Sequence, residues 1–139
     1  HYDVMVENYI KKVQIESRTI AELCYNYILP AAFEYQSVLA QNIERMKNIG
    51  VPATGYQSQM ELVTHIADYT TQIGKLVVKM TEERKVANNI EHVEKRANQY
   101  CFKILPMVDE IRRYVDKLEY IIDDKKWPLV KYREMLFLR

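Results

Sequence analysis

Glycine and proline are scarce in this chain. Three glycines and four prolines serve 139 residues. An all-β fold needs many tight turns, and a phosphate-cradling loop needs clustered glycines, so both are excluded. Cysteine is scarce too. Cys24 and Cys101 lie far apart and form no CxxC pair, which fits two reduced thiols better than a disulfide or redox role. There is no excess of one charge: 20 basic residues face 19 acidic ones, for a net charge of +1. A chain so balanced has no global field with which to recruit nucleic acid. No apolar run approaches 18 residues, and the residues show no signal-peptide pattern, so neither a membrane span nor a secretory signal is expected from them. The chain begins at His1 rather than Met, read as a processed end, a tag remnant or a fragment boundary.

What is present is helical. Apolar content is 48% and charge 28%, which suits one soluble domain able to bury a core. Eleven tyrosines outnumber the other aromatics, and tyrosine favours half-buried positions with one wet end. The strongest punctuation is residues 50–55, GVPATG, where Gly50 suits a helix C-terminus and Pro52 blocks continuation. Before it, Val6, Ile10, Val13, Ser17, Ile20, Cys24, Tyr27, Ala31 and then Val38 mark one helical stripe. A 45-residue helix would be about 68 Å long, and Pro30 should kink it near residues 27–29.

A second helix is expected to start at the Ser58–Glu61 capping box. Met60, Val63, Ile66, Ile73, Leu76, Val77 and Met80 form its apolar face. Asn88 and Glu91 read as the cap of a third helix. Its seam runs Val86, Ile90, Val93, Ala97, Tyr100, Ile104, Met107, Ile111, Tyr114, Leu118 and Ile121 in steps of four and three. Pro106 should bend it near residues 103–105. The expected architecture is all-α: an elongated antiparallel three-helix bundle with a long kinked first helix and a C-terminal docking tail. Its parts are helix 1–49, loop 50–57, helix 58–86, helix 88–124 and tail 127–139, within a single domain 1–139. The first helix outlasts its partners, so one end needs other cover.

Residues of reactive type are present without a reactive arrangement. Glu61 and His65 could share a helix face, but no Glu-x-x-His pair of a di-iron bundle occurs. Cys24 or Cys101 with His65 or His92 lacks any context that would lower a thiol pKa. Glu82/Glu83 and Asp123/Asp124 sit at helix ends among basic residues, as solvated faces do. Lys11-Lys12, Arg112-Arg113 and Lys125-Lys126 are scattered and neutralised, which speaks against an RNA-binding bundle. The first helix lacks the Lys/Arg-rich polar face of a membrane-surface segment. These residues assign no catalytic, cofactor or metal ligand. They offer helical surfaces, the equipment of a scaffold or of a free-standing adaptor or oligomerisation module.

Two stretches resemble the C-terminal helical region of type III glutamine synthetases. One is residues 9–43, with Ile15-Glu16-Ser17-Arg18-Thr19, the box Ile28-Leu29-Pro30-Ala31, Tyr35-Gln36 and Leu39-Ala40. The other is residues 100–119 followed by the string WPLVKYREMLF at 127–137. Ser17 stands where that family often has Ala, and Val130 where it often has Pro. The resemblance implies a cytoplasmic parent enzyme that phosphorylates glutamate with ATP and Mg or Mn, then lets ammonia displace phosphate. Its catalytic residues lie upstream, so none is assigned here. The chain would be a non-catalytic assembly domain of a longer enzyme. Its partners would be the catalytic domain and neighbouring subunits of a homo-oligomer, with no nucleic acid and no membrane. The tail residues Trp127, Pro128, Leu129, Tyr132, Met135, Leu136 and Phe137 would dock on the helices or on the catalytic core. Tyr132, Met135 and Leu136 have the spacing of a short helix after Pro128.

Overall fold

The computed structural model describes the backbone of residues 2–127 and the side chains of residues 4–127. His1 and tail positions Pro128, Leu129, Tyr132, Met135, Leu136 and Phe137 lie outside the described residues. The described chain is all-helical, with three helices and no strand.

The first helix runs through Tyr2–Leu23, a π-helical turn Cys24–Ile28, and Leu29–Asn48. Pro30 explains that turn. Its ring has no N–H and crowds the carbonyl four residues back, so a regular helix cannot pass it unchanged. The backbone widens just before the proline, and the N–H of Leu29 bonds the Cys24 carbonyl instead. The third helix repeats the device. It starts as Val93–Gln99, widens into a π turn at Tyr100–Ile104, and continues as Leu105–Ile121, with Pro106 second in the last segment. The two prolines thus act through inserted turns at nearly the positions where bends were expected.

An inserted residue rotates everything that follows by about 100° relative to a regular helix. The buried stripe responds. Ile10, Val13, Ser17, Ile20 and Cys24 are buried as the spacing predicts, and Ala31 stays buried. After the π turn, however, the core residues include Ile28, Leu29, Ala32 and Leu39, whereas Tyr27 and Val38 are exposed. The third helix shows a milder slip: Val108 and Ile122 are buried beside Tyr100, Ile104, Met107, Ile111 and Leu118.

The helix ends also differ from the sequence reading. The second helix spans Gln57–Asn88 and begins after Tyr56, without a side-chain cap. Ser58 therefore lies inside the first turn. The third helix starts after His92, whose Nδ1 accepts from the Lys95 N–H at 3.4 Å, so Asn88 does not cap it. Val86 belongs to the second helix and is exposed.

Gly50 closes the first helix with φ +89°. Its N–H bonds the Lys47 carbonyl at 3.1 Å, and the Val51 N–H bonds the Met46 carbonyl at 3.0 Å. This pair of bonds is the Schellman arrangement, which needs a left-handed residue at Gly50's position. Gly50→Ala is expected to cost about 1 kcal/mol and Gly50→Asn less, read as the shift in urea midpoint.

All three helices share one core. Ile10, Val13, Ile28 and Leu39 meet Ile66, Ile73, Val77 and Met80, with Tyr100, Ile104, Ile111 and Leu118 completing it. Thr70 sits in this core because its hydroxyl donates to the Ile66 carbonyl at 2.7 Å, satisfying the polar atom locally. Trp127 is also part of the core.

Candidate functional site

The residues of reactive type do not converge. Among the described residues, no three His, Cys, Asp or Glu side chains come together as a metal-holding group. The His65 ring stacks on Tyr69 at 5.8 Å instead of pairing with Glu61. Tyr69 in turn meets Tyr114 at 6.0 Å, and the Lys117 ammonium lies 5.4 and 5.1 Å from the two ring centres. This patch fastens the second helix to the third by aromatic and cation–π contact. His92 is a helix cap. Glu83 accepts from the Gln99 amide at 2.5 Å, and the Asp123 carboxylate receives the Lys125 N–H at 3.1 Å.

The two cysteines sit in different surroundings. Cys24 is fully buried, and that burial pushes its thiol up to about 12. Cys101 is partly buried and hydrogen-bonds with Tyr9. Burial first, then Cys101 and Glu16, push the Tyr9 hydroxyl up to about 12. A raised folded value keeps the proton on the native protein after the unfolded chain has released it. Stability supplied by protonated Cys24 is therefore full below about pH 8.5, the unfolded thiol value, and is lost as pH rises towards 12. Urea unfolding between pH 8 and 11 should show this decline, and the decline should be shallower in Cys24→Ala.

A polar junction that the sequence did not reveal ties the helices together. The Tyr100 hydroxyl donates to Asn88 Oδ1 at 2.6 Å, and Gln14 Nε2 donates to Tyr100 at 3.1 Å and to Asn88 at 3.2 Å. These partners are 74 and 86 residues apart, so no local motif records them. Beside this junction, a cleft of about 340 Å³ is lined by Glu7, Lys11, Asn88 and Arg96. Arg96 donates to the Ile90 carbonyl at 3.3 Å. Arg84 is held below the usual guanidinium value by burial and by neighbouring Arg18.

A second cleft, of about 300 Å³, lies between the first and third helices. Ile15, Ile20, Leu23, Ile28 and Val115 form its walls. Glu16 and Arg112 border it and pair at 3.0 Å, with Asp116 and Thr19 alongside. Ile15 is 65% exposed there. Farther along the first helix, Lys126 pairs with Glu34 at 3.2 Å. This pair brings the end of the described chain back onto the first helix. Asp123 makes that return possible, because its carbonyl receives the N–H groups of both Lys126 and Trp127 at 2.9 and 3.1 Å. The arrangement is an apolar cleft bordered by a Glu16–Arg112 ion pair. No described helix is long and apolar enough to cross a membrane.

The family described as glutamine synthetase C-terminal domain matches residues 1–47. A glutamine synthetase of Bacteroides fragilis (strain YCH46) is 42% identical over 99% of this chain. A type-3 glutamine synthetase of Dictyostelium discoideum is 28% identical over 99%, and a glutamine synthetase of Butyrivibrio fibrisolvens 26% identical over 98%. This chain spans 19% of the length of each relative. The chain belongs to the glutamine synthetase C-terminal domain family, within the group that includes a type-3 enzyme.

Proposed function

We propose that this chain is a non-catalytic structural and assembly domain of a type III glutamine synthetase. The parent joins ammonia to glutamate at the expense of ATP, with Mg or Mn ions, in the cytoplasm. The residues described here do not fit those groups. They supply no cluster of three or more metal-type ligands and no glycine-rich phosphate cradle, so no step of the reaction is assigned to them. The catalytic domain of the same polypeptide and neighbouring subunits of a homo-oligomer are the partners that suit the remaining surface.

The observation that carries this reading is a single core shared by three helices, built almost wholly from apolar side chains. Its polar exceptions, Ser17 and Thr70, satisfy their hydroxyls on backbone carbonyls one turn back, at 2.9 and 2.7 Å. An elongated antiparallel bundle fits the side-chain pairs. Gln36 bonds Val63 and Asn42 bonds Gln59, which suits opposed first and second helices. Glu83 meets Gln99 and Tyr69 meets Tyr114, which suits opposed second and third helices. Glu16–Arg112 and Glu34–Lys126 suit first and third helices running in the same sense.

The test is deletion of this domain from the full-length enzyme, read by sedimentation and by glutamine formation. Smaller, still folded assemblies with altered turnover are expected. Unchanged assembly together with unchanged turnover would remove the assembly role. Glutamine formation by this chain alone would remove the non-catalytic one.

A further inference from the structure

We infer that the polar cleft beside the Tyr100 junction binds a small ligand through an oxyanion, a carboxylate or phosphate group. All three helices build it. Glu7, Ile10, Lys11 and Gln14 come from the first, Asn88 ends the second, and Arg96 stands near the start of the third. Its volume of about 340 Å³ suits a small molecule, whose sites hold about 300–1,000 Å³.

The cations at this end of the bundle are not neutralised by the protein. Among the described residues, the ion pairs within 4 Å join Arg112 to Glu16 and Lys126 to Glu34, and none involves Lys11, Arg18, Arg84 or Arg96. Arg84 lies close enough to Arg18 and Tyr100 to feel both charges, so basic groups crowd around the junction. Positive charge left without a partner favours an anion in the adjoining cleft.

Arg96 is held in place before any ligand arrives. It lines the cleft while its Nη1 donates to the Ile90 carbonyl at 3.3 Å. Its Nε is buried with no acceptor among the described residues. A guanidinium fixed along one edge offers its remaining N–H groups without the entropic cost of ordering a long side chain.

The junction fixes a second donor. Asn88 Oδ1 accepts from the Tyr100 hydroxyl at 2.6 Å and from Gln14 Nε2 at 3.2 Å. That commitment sets which way the amide faces, and it leaves the Nδ2 N–H groups of Asn88 as donors. Asn88 Nδ2, the Lys11 ammonium and the Arg96 guanidinium donate and do not accept, as the lone pairs of an oxyanion require. Ile10 adds an apolar surface for the carbon body of the ligand. Glu7 is the opposing charge in the lining, and Lys11 and Arg96 outnumber it.

The 139-residue chain is titrated at constant ionic strength with inorganic phosphate and, separately, with acetate. NMR follows the Asn88 Nδ2 and Arg96 Nε signals. Saturable shifts of both signals are expected with at least one anion, and the anion that saturates names the group the site takes. Lys11→Ala should weaken binding by about fivefold, the upper end for an exposed charge pair. Glu7→Gln should tighten it by about twofold or more, because a like charge leaves the cleft. Both positions are exposed on the first helix, so the fold survives either change, and a gain of affinity cannot come from unfolding. Failure of both anions to saturate these signals would overturn the inference. So would shifts spread evenly over the surface lysines, unchanged affinity in Lys11→Ala, or no tightening in Glu7→Gln. The site uses residues of this chain alone, so the result is independent of the assembly role.

Discussion

Tyr100→Ala should destabilise the chain by about 3–5 kcal/mol, the range for removing a large buried aromatic. Tyr100 is fully buried and opens the π turn of the third helix. Its ring fills the space where all three helices meet, and its hydroxyl ties Gln14 of the first helix to Asn88 of the second. Alanine removes both the ring and the tie. Tyr100→Phe separates the two effects. The ring stays, and Gln14 and Asn88 still bond each other at 3.2 Å, so the cost should fall to about 1 kcal/mol. Urea unfolding of the two variants checks this, with m unchanged if the native and unfolded states keep their compactness. Similar costs for both would mean that the polar junction, and not the ring, holds the three helices together.

Tyr100 also shows how far the sequence can be read. Its place in a four-and-three seam marked it as core, and the coordinates put it there. Its partners could not be read, because Gln14 and Asn88 are polar and far away in the chain, and Asn88 had a plausible local use as a cap. Local rules compete at helix ends. Ser58 with Glu61 satisfied the capping-box spacing, yet the helix begins a residue earlier, after Tyr56. The break between the second and third helices was legible as a polar run, while His92 as the actual cap was not. Pro30 and Pro106 told where the long helices deform. They did not tell that the deformation would be an inserted residue, since a proline can also be met by a simple bend. Among the tail residues, Trp127 alone is described, buried in the core. The cleft beside the first helix is a tertiary feature of two helices, and neither helix alone displays it.

The inserted π turn makes a sharp prediction about two adjacent residues. In an uninterrupted helix the stripe Ile20, Cys24, Tyr27 and Ala31 would bury Tyr27 and leave Ile28 at its edge. With one extra residue at Cys24–Ile28, the core face passes through Ile28, which is 1% exposed, and Tyr27 is 54% exposed. Ile28→Ala should therefore cost about 2–5 kcal/mol, through lost transfer free energy and the cavity left between helices. Tyr27→Ala, although it removes more atoms, should stay within about 0.5 kcal/mol of the parent chain, as exposed substitutions do. The same reasoning covers Leu39 and Val38 about three turns on, where Leu39 is buried and Val38 is 46% exposed. Thermal and urea unfolding of the four alanine variants would settle the register. If Tyr27→Ala proved the costlier of its pair, the first helix would pass Pro30 without the insertion. The wall that Ile28 contributes to the interhelical cleft would then turn away, and the cleft would lose its inner end.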